Sequence, residues 1–277
     1  MNARGKVIAT DLDGTLFYPK KRFRMINTDN KFFLRKFIDE GGKLLLVSGR
    51  NFPYLIKVRK RLKRHVDFAG CNGAFVNVDN KFIKKSYINN QRLLEVLDDM
   101  KKHFNFPGIF IMSEEHNFIA PKQEFGLFNR FGFFCYQLWQ GIYKEKTIRS
   151  DKLVHESLRN EKIYKIMLFF GIGKKKIKYC YECMKEMIKL YPDFAFAYNG
   201  PSIEMSNIDA TKALAVKQYL DYLKIKHDNV MVVGDSGNDI SMFQAFQNSF
   251  CMAQANEEVK REANHTIRRV HDLEKYL

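Results

Sequence analysis

Val7-Ile8-Ala9-Thr10-Asp11-Leu12-Asp13-Gly14-Thr15 joins an apolar run to an acidic turn near the start of the chain. Val7 to Leu12 reads as a short buried strand, so Asp11 and Asp13, two positions apart at its end, project to the same side. Two carboxylates then crowd one spot. A hard divalent cation such as Mg2+ takes oxygen ligands and removes their conflict. Gly14 lets the backbone leave the strand and approach a ligand, and Thr15 adds a hydroxyl. Asp and Gly also gather at strand ends for purely local reasons. Partners elsewhere in the chain decide between the two readings.

Lys43-Leu44-Leu45-Leu46-Val47 reads as a second buried strand. It ends in Ser48-Gly49-Arg50, where a hydroxyl and freed backbone N–H groups can hold a phosphate oxygen. Asn229 to Val233 is a third apolar run, ending in Gly234-Asp235-Ser236-Gly237-Asn238-Asp239, which adds two more carboxylates at a strand end. Between them, Thr211-Lys212 opens an amphipathic segment with Ala213, Leu214, Val216, Leu220 and Leu223, placing an ammonium near a helix start. Each residue has a plainer reading. Lys212 alone is an ordinary helix lysine, while Ser236, Asn238 and Asp239 alone are helix-capping residues. Chain order and strand-end placement agree at four separate places, and that agreement favours a phosphoryl-transfer site.

With these marks the chain resembles the haloacid dehalogenase superfamily of phosphatases and phosphotransferases, and within it the Cof-type hydrolases. The marks are Asp11 to Thr15, Ser48-Gly49-Arg50, Lys212, and Gly234-Asp235 followed by Asn238-Asp239. Cys71-Asn72-Gly73-Ala74, Ile203-Glu204-Met205 and Met252 to Asn256 give the Cof-type flavour. The resemblance implies an α/β, Rossmann-like core with a parallel sheet and an inserted α+β cap of the C2B type. It implies Asp11 as nucleophile, forming an aspartyl-phosphate, and Asp13 as general acid and base. Mg2+ would sit on the Asp11 carboxylate, the Asp13 backbone carbonyl and the Asp235 carboxylate, with Asp239 behind them. Leu12, Thr15, Ser48, Gly49, Lys212 and Asn238 would hold the phosphoryl oxygens.

The chain has 277 residues, comfortable for two domains. Core segments 1–79 and 200–277 and an insert 80–199 are expected. Core strands are expected near 6–12, 43–47, 67–70, 202–206, 229–233 and 249–252, alternating with helices near 28–40, 51–64, 210–224 and 237–247. The insert shows helical patterns near 90–104, 148–160 and 173–190, and apolar runs at 109–112, 163–170 and 194–198. Hinges are expected around Val78-Asp79-Asn80 and Asn199-Gly200-Pro201, where turn residues meet the expected edge. The aromatic stretch Phe125 to Tyr143 reads as packing. Phe131, Phe134, Tyr136 or Trp139 could alternatively wall the substrate.

No window reaches the roughly 18 uninterrupted apolar residues of a membrane span, and no signal-peptide core is apparent. A cytoplasmic protein is expected, as a monomer or weak homo-oligomer. Five scattered cysteines do not suggest a disulfide framework, and Cys180 and Cys183 lack a second ligand pair with zinc spacing. The formal charge is +16, with basic clusters at Lys20-Lys21-Arg22, Lys57 to Arg64, Lys174-Lys175-Lys176 and Arg268-Arg269. No nucleic-acid motif accompanies them, so specific nucleic-acid binding is not expected; a solvated, Lys-rich surface is the plain reading of the charge, and a field that attracts anionic metabolites is the functional alternative. The expected activity is Mg2+-dependent hydrolysis of a small phosphorylated metabolite, a sugar phosphate or cofactor precursor. A phosphosugar mutase, or a basic nucleic-acid-binding protein with a vestigial site, are the alternatives.

Overall fold

Runs of Val, Ile and Leu buried on both faces become the central strands of one parallel sheet, as expected where helices cover a sheet from both sides. In the computed structural model these are β1 (Val7–Thr10), β2 (Lys43–Val47) and β12 (Val230–Gly234), extended by β3 (Asp67–Gly70), β13 (Ser249–Met252) and β14 (His265–Ile267). The structure describes residues 3–19, 25–106, 108–116, 118–120 and 147–277. The aromatic candidates Phe131, Phe134, Tyr136 and Trp139, and the cluster Lys20-Lys21-Arg22, lie outside the described residues.

The chain divides into two units, one of Met1–Lys85 with Ala210–Leu277 and the other of Ser86–Asp209. In the first, the eight strands run β14-β13-β12-β1-β2-β3-β4-β5. All neighbours from β14 to β3 are parallel. β4 (Phe75–Val78) and β5 (Lys81–Lys85) add an antiparallel edge. Val7, Ala9, Leu45, Val47, Val230 and Val232 share a core with Val216, Tyr219 and Leu220 of α6 (Lys212–Tyr222) and with Met242 and Phe243 of α7 (Ile240–Ala245).

The second unit is α+β. Its six-stranded sheet runs β10 (Phe194–Asn199), β11 (Ser202–Asn207), β9 (Ile163–Phe169), β6 (Gly108–Ser113), β7 (Phe118–Ala120), β8 (Thr147–Arg149). α3 (Asn90–His103), α4 (Asp151–Asn160) and α5 (Lys174–Leu190) bury a common core with it. Cys180 and Cys183 sit inside that core, where burial pushes the Cys180 thiol up to about 12.

Three expectations about organisation are corrected. The run 202–206, expected in the parallel sheet, is β11 of the second unit, antiparallel to β9 and β10. A short apolar run does not say which sheet it joins. Here the turn decides, because Asn199 pairs with Ser202 across Gly200, whose φ of 60° is open to glycine. The expected hinge at Asn199-Gly200-Pro201 is therefore a hairpin turn within the second unit. The expected hinge at Asp79-Asn80 is likewise a two-residue hairpin turn, both residues having positive φ (49° and 65°), joining β4 to β5 within the first unit. The units accordingly meet in sequence at Lys85/Ser86 and Asp209/Ala210, instead of 79/80 and 199/200.

Candidate active site

From β1 the chain moves to β2 and β3 on one side, and it returns at β12 on the other. Such a reversal opens a crevice beyond the carboxyl ends of the two strands. Asp11 follows β1 and Asp235 follows β12, so the crevice receives both. The ladder continues one residue past β1, with the Asp11 N–H donating to the Val233 carbonyl at 2.9 Å. This fixes the Asp11 backbone before the chain turns away.

Lys212 is the first residue of α6, whose start is capped by the Thr211 hydroxyl accepting from the Leu214 N–H at 3.2 Å. Gly73, at φ +98°, lets the turn after β3 press on this cap, since a Cβ there would run into the Thr211 carbonyl. The Lys212 ammonium is fully enclosed and donates to Asp11 Oδ1 at 2.7 Å and Asp239 Oδ1 at 2.6 Å. Residues 201 positions apart thereby meet in one ion pair. Asp239 Oδ2 accepts from the N–H groups of Asp235 (2.9 Å) and Ser236 (3.0 Å), so both its oxygens orient neighbours.

Asp235 Oδ1 accepts from the Thr15 hydroxyl at 2.7 Å. Thr15, expected on phosphate, thus serves a carboxylate in this structure. Gly14, at φ +83°, is required here because any Cβ would collide with the Asp235 carboxylate. Asp11, Asp235 and Asp239 place ligand-type oxygens within 4.8 Å of one another. Asp13 faces a different partner. Arg50 Nε and Nη2 donate to its two oxygens at 2.8 and 2.9 Å, a bidentate fork.

Ser48 closes the second side. Its N–H donates to Ala69 and its carbonyl accepts from Asn72, while its buried hydroxyl oxygen accepts from the Arg50 N–H at 3.2 Å. Gly49 forms the bend between Ser48 and Arg50, and Leu12 is buried under the Asp11 turn. The Asn238 carboxamide is held at both ends. Its oxygen accepts from the Ser236 hydroxyl at 2.8 Å, and its nitrogen donates to Asn72 Oδ1 at 3.3 Å. Asn72 and Arg50 are the residues to which sequence reasoning gave no individual role. Asn72 had a signal in Asn72-Gly73, since it takes a left-handed φ of 59° that asparagine tolerates better than most residues.

Burial is the largest influence on Asp11 and drives its carboxyl up, Lys212 opposes it, and Asp239, Asp235 and Asp13 reinforce it. Burial pulls the Lys212 ammonium down, but Asp11 and Asp239 outweigh it and raise it above the usual lysine range. Burial and then Asp239 push Asp235 up to about 7, against the Thr15 hydrogen bond and Lys212. Four carboxylates meet two cations, so the crevice is left acidic. The oxygen donor set and the Gly14 cradle fit a hard divalent ion. A further group, His65, Asp67 and Asp79, also comes within ligand reach, but Asp67 is occupied by His65, the Asp79 N–H and the Tyr219 hydroxyl.

A doubly wound core with an acidic, lysine-bearing crevice at its switch point is a setting suited to phosphoryl chemistry. The profile of the haloacid dehalogenase-like hydrolases matches residues 8–274, and the chain belongs to that family. A phosphoglycolate phosphatase of Thermoplasma acidophilum is 34% identical over 255 residues, covering 92% of this chain and 88% of that protein. A 5-amino-6-(5-phospho-D-ribitylamino)uracil phosphatase of Bacillus subtilis is 23% identical over 262 residues, covering 94% and 88%. Among solved structures, a haloacid dehalogenase-like hydrolase from B. subtilis superposes with a TM-score of 0.80 at 22% identity, covering 98% and 99%. A sugar phosphatase of subclass IIB gives 0.76 at 21%, covering 98% of both chains. Among the described residues, no helix is long and apolar enough to cross a membrane.

Proposed function

We propose that the protein hydrolyses phosphate monoesters of small metabolites through a phosphorylated Asp11. The observation that carries this reading is the junction of Asp11, Lys212 and Asp239 at 2.6 to 2.7 Å, contributed by three strand-end or helix-start segments far apart in sequence. In the first half of the reaction the Asp11 carboxylate attacks phosphorus, the ester P–O bond breaks, and Asp13 gives a proton to the departing oxygen. In the second half water attacks the phosphorus, Asp13 takes its proton, and the bond to Asp11 breaks. Ser48, Lys212, Asn238 and the backbone around Leu12 and Gly49 would bind the phosphoryl oxygens, with Thr15 supporting them through Asp235. Phosphoryl transfer is largely positioning and electrostatics, which suits a rigid cradle of this kind.

Asp11, Asp235 and the Asp13 carbonyl would hold Mg2+, with Asp239 steadying them, and the bound ion would offset charge between these carboxylates and a dianionic phosphate. The inserted unit 86–209 is proposed to select the metabolite, with sugar phosphates and cofactor precursors as the first classes to try. The four cysteines among the described residues are free thiols, which supports a reducing, cytoplasmic setting. The test is phosphate release from a panel of phosphate monoesters with Mg2+. Release that stops on chelation and in Asp11→Asn is expected, whereas undiminished release in Asp11→Asn overturns the reading.

A further inference from the structure

We propose that the face shared by α1 (Thr28–Asp39) and the end of α2 (Phe52–Leu62) binds single-stranded nucleic acid, with Lys31, Arg35, Arg61 and Lys63 on its phosphates and Phe32 against a base. The basic run Lys57 to Arg64 has no part in the hydrolysis proposed above, and the fold gives it companions from α1. Arg35 Nε donates to the Leu62 carbonyl at 2.7 Å, which seats the guanidinium at the end of α2, where Arg61 and Lys63 flank the accepting residue. Lys31 lies one turn before Arg35 on α1. Slight burial, then the charges of Arg35, Lys63 and Arg61, pull its ammonium below the usual lysine range. Four cations from two helices thus act on one area.

Nearby acids do not cancel them. Asp39 is taken by Arg64 in a fork at 2.6 and 2.8 Å, and Glu274 by Lys36 at 2.9 Å. Among the described residues no carboxylate comes within ion-pair distance of Lys31, Arg35, Arg61 or Lys63. The negative end of α2 draws cations, which accounts for Arg35 on the Leu62 carbonyl but not for Phe32. That ring, between Lys31 and Arg35 on the helix, is 72% exposed, the most of any large apolar side chain among the described residues. Cations that follow a phosphate backbone, joined to an open aromatic ring on which a base stacks, suit a single strand, since a duplex hides the faces of its bases. A bilayer suits the face less well. α1 keeps Phe33, Leu34 and Phe37 in its own core, and one remaining phenylalanine offers little apolar area for insertion. α2 runs from the crevice end of β2 back to the start of β3, so its last turn lies away from Asp11.

The probe is an oligouridylate of about 12 nucleotides with hydroxyl ends, so that no terminal phosphate enters the crevice, read by fluorescence anisotropy with chelator present. Four phosphate contacts give a slope of log affinity on log salt near −3, so affinity should fall about fiftyfold between about 50 and about 200 mM salt. Arg61→Gln with Lys63→Gln should weaken binding about tenfold at the lower salt and roughly halve that slope. Phe32→Ala should weaken it about tenfold and leave the slope unchanged. Lys174→Gln with Lys175→Gln, in the other unit, should change it less than about twofold. Phosphate release should match wild type in all of them, which keeps a failure here distinct from a failure of the hydrolysis reading. Absence of binding at the lower salt, wild-type binding by Phe32→Ala, or equal losses from the two pairs of lysine and arginine changes overturn the proposal. Stronger retention on phosphatidylserine vesicles than on the oligonucleotide, lost in the same variants, assigns the face to lipid and also overturns it.

Discussion

Lys212 donates to two carboxylates from a position closed to solvent, and removing it would strand them in the interior. Lys212→Met is expected to lower the stability of the chelated protein by about 3–5 kcal/mol in urea denaturation, in the range for breaking one side of a buried ion pair. Thr15 acts one step away, through its bond to Asp235. Thr15→Val should weaken Mg2+ activation about 10–100-fold, as read by titrating activity with the metal, with little change in turnover at saturation. Asp11, Asp235 and Lys212 were legible in the sequence because each follows or precedes an apolar run at a place where side chains collect. The partners of Thr15 and Asp13 were not. A hydroxyl two residues past a carboxylate can serve phosphate or another side chain, and the choice depends on where a strand more than 200 positions away comes to rest.

Strands and helices carry those residues into place, and α6 does so at both its start and its middle. While Lys212 reaches the crevice, the Tyr219 hydroxyl donates at 2.9 Å to Asp67 Oδ2 on β3, deep in the core. Tyr219→Phe leaves that buried carboxylate oxygen short of a donor, and a loss of about 1–3 kcal/mol is expected in thermal or urea unfolding. Of the six parallel strands, β1, β2 and β12 were readable as apolar runs, since a strand covered on both faces cannot afford polar alternation, β3 and β13 were expected near 67–70 and 249–252, and β14 was not expected. β4, β5 and β11 were not placed from sequence. Asp79-Asn80 and Asn199-Gly200 signal a turn equally well for a hairpin or a domain edge, and the pairing that distinguishes them is non-local.

Across the molecule as a whole, the crevice gathers more negative charge than its own cations balance, so proton binding, metal binding and folding are coupled. Asp235 is held near 7 when folded against 3.8 ordinarily, so between those values the folded chain binds more protons than the unfolded one. Stability of the chelated protein therefore falls as pH rises from about 4 to about 7. Mg2+ favours the ionised folded form, and at 100 times its dissociation constant it should restore about 2.7 kcal/mol. Melting temperatures measured against pH, with chelator and with Mg2+, check this, and a chelated protein that grows more stable over that window would contradict it. The most direct measurement of all is chemical. The protein is mixed with a radiolabelled phosphate monoester, quenched in acid during turnover, and digested. Label in the peptide carrying Asp11, released by hydroxylamine and absent from Asp11→Asn, is expected. Full turnover with no label there, or label on another residue, would contradict it.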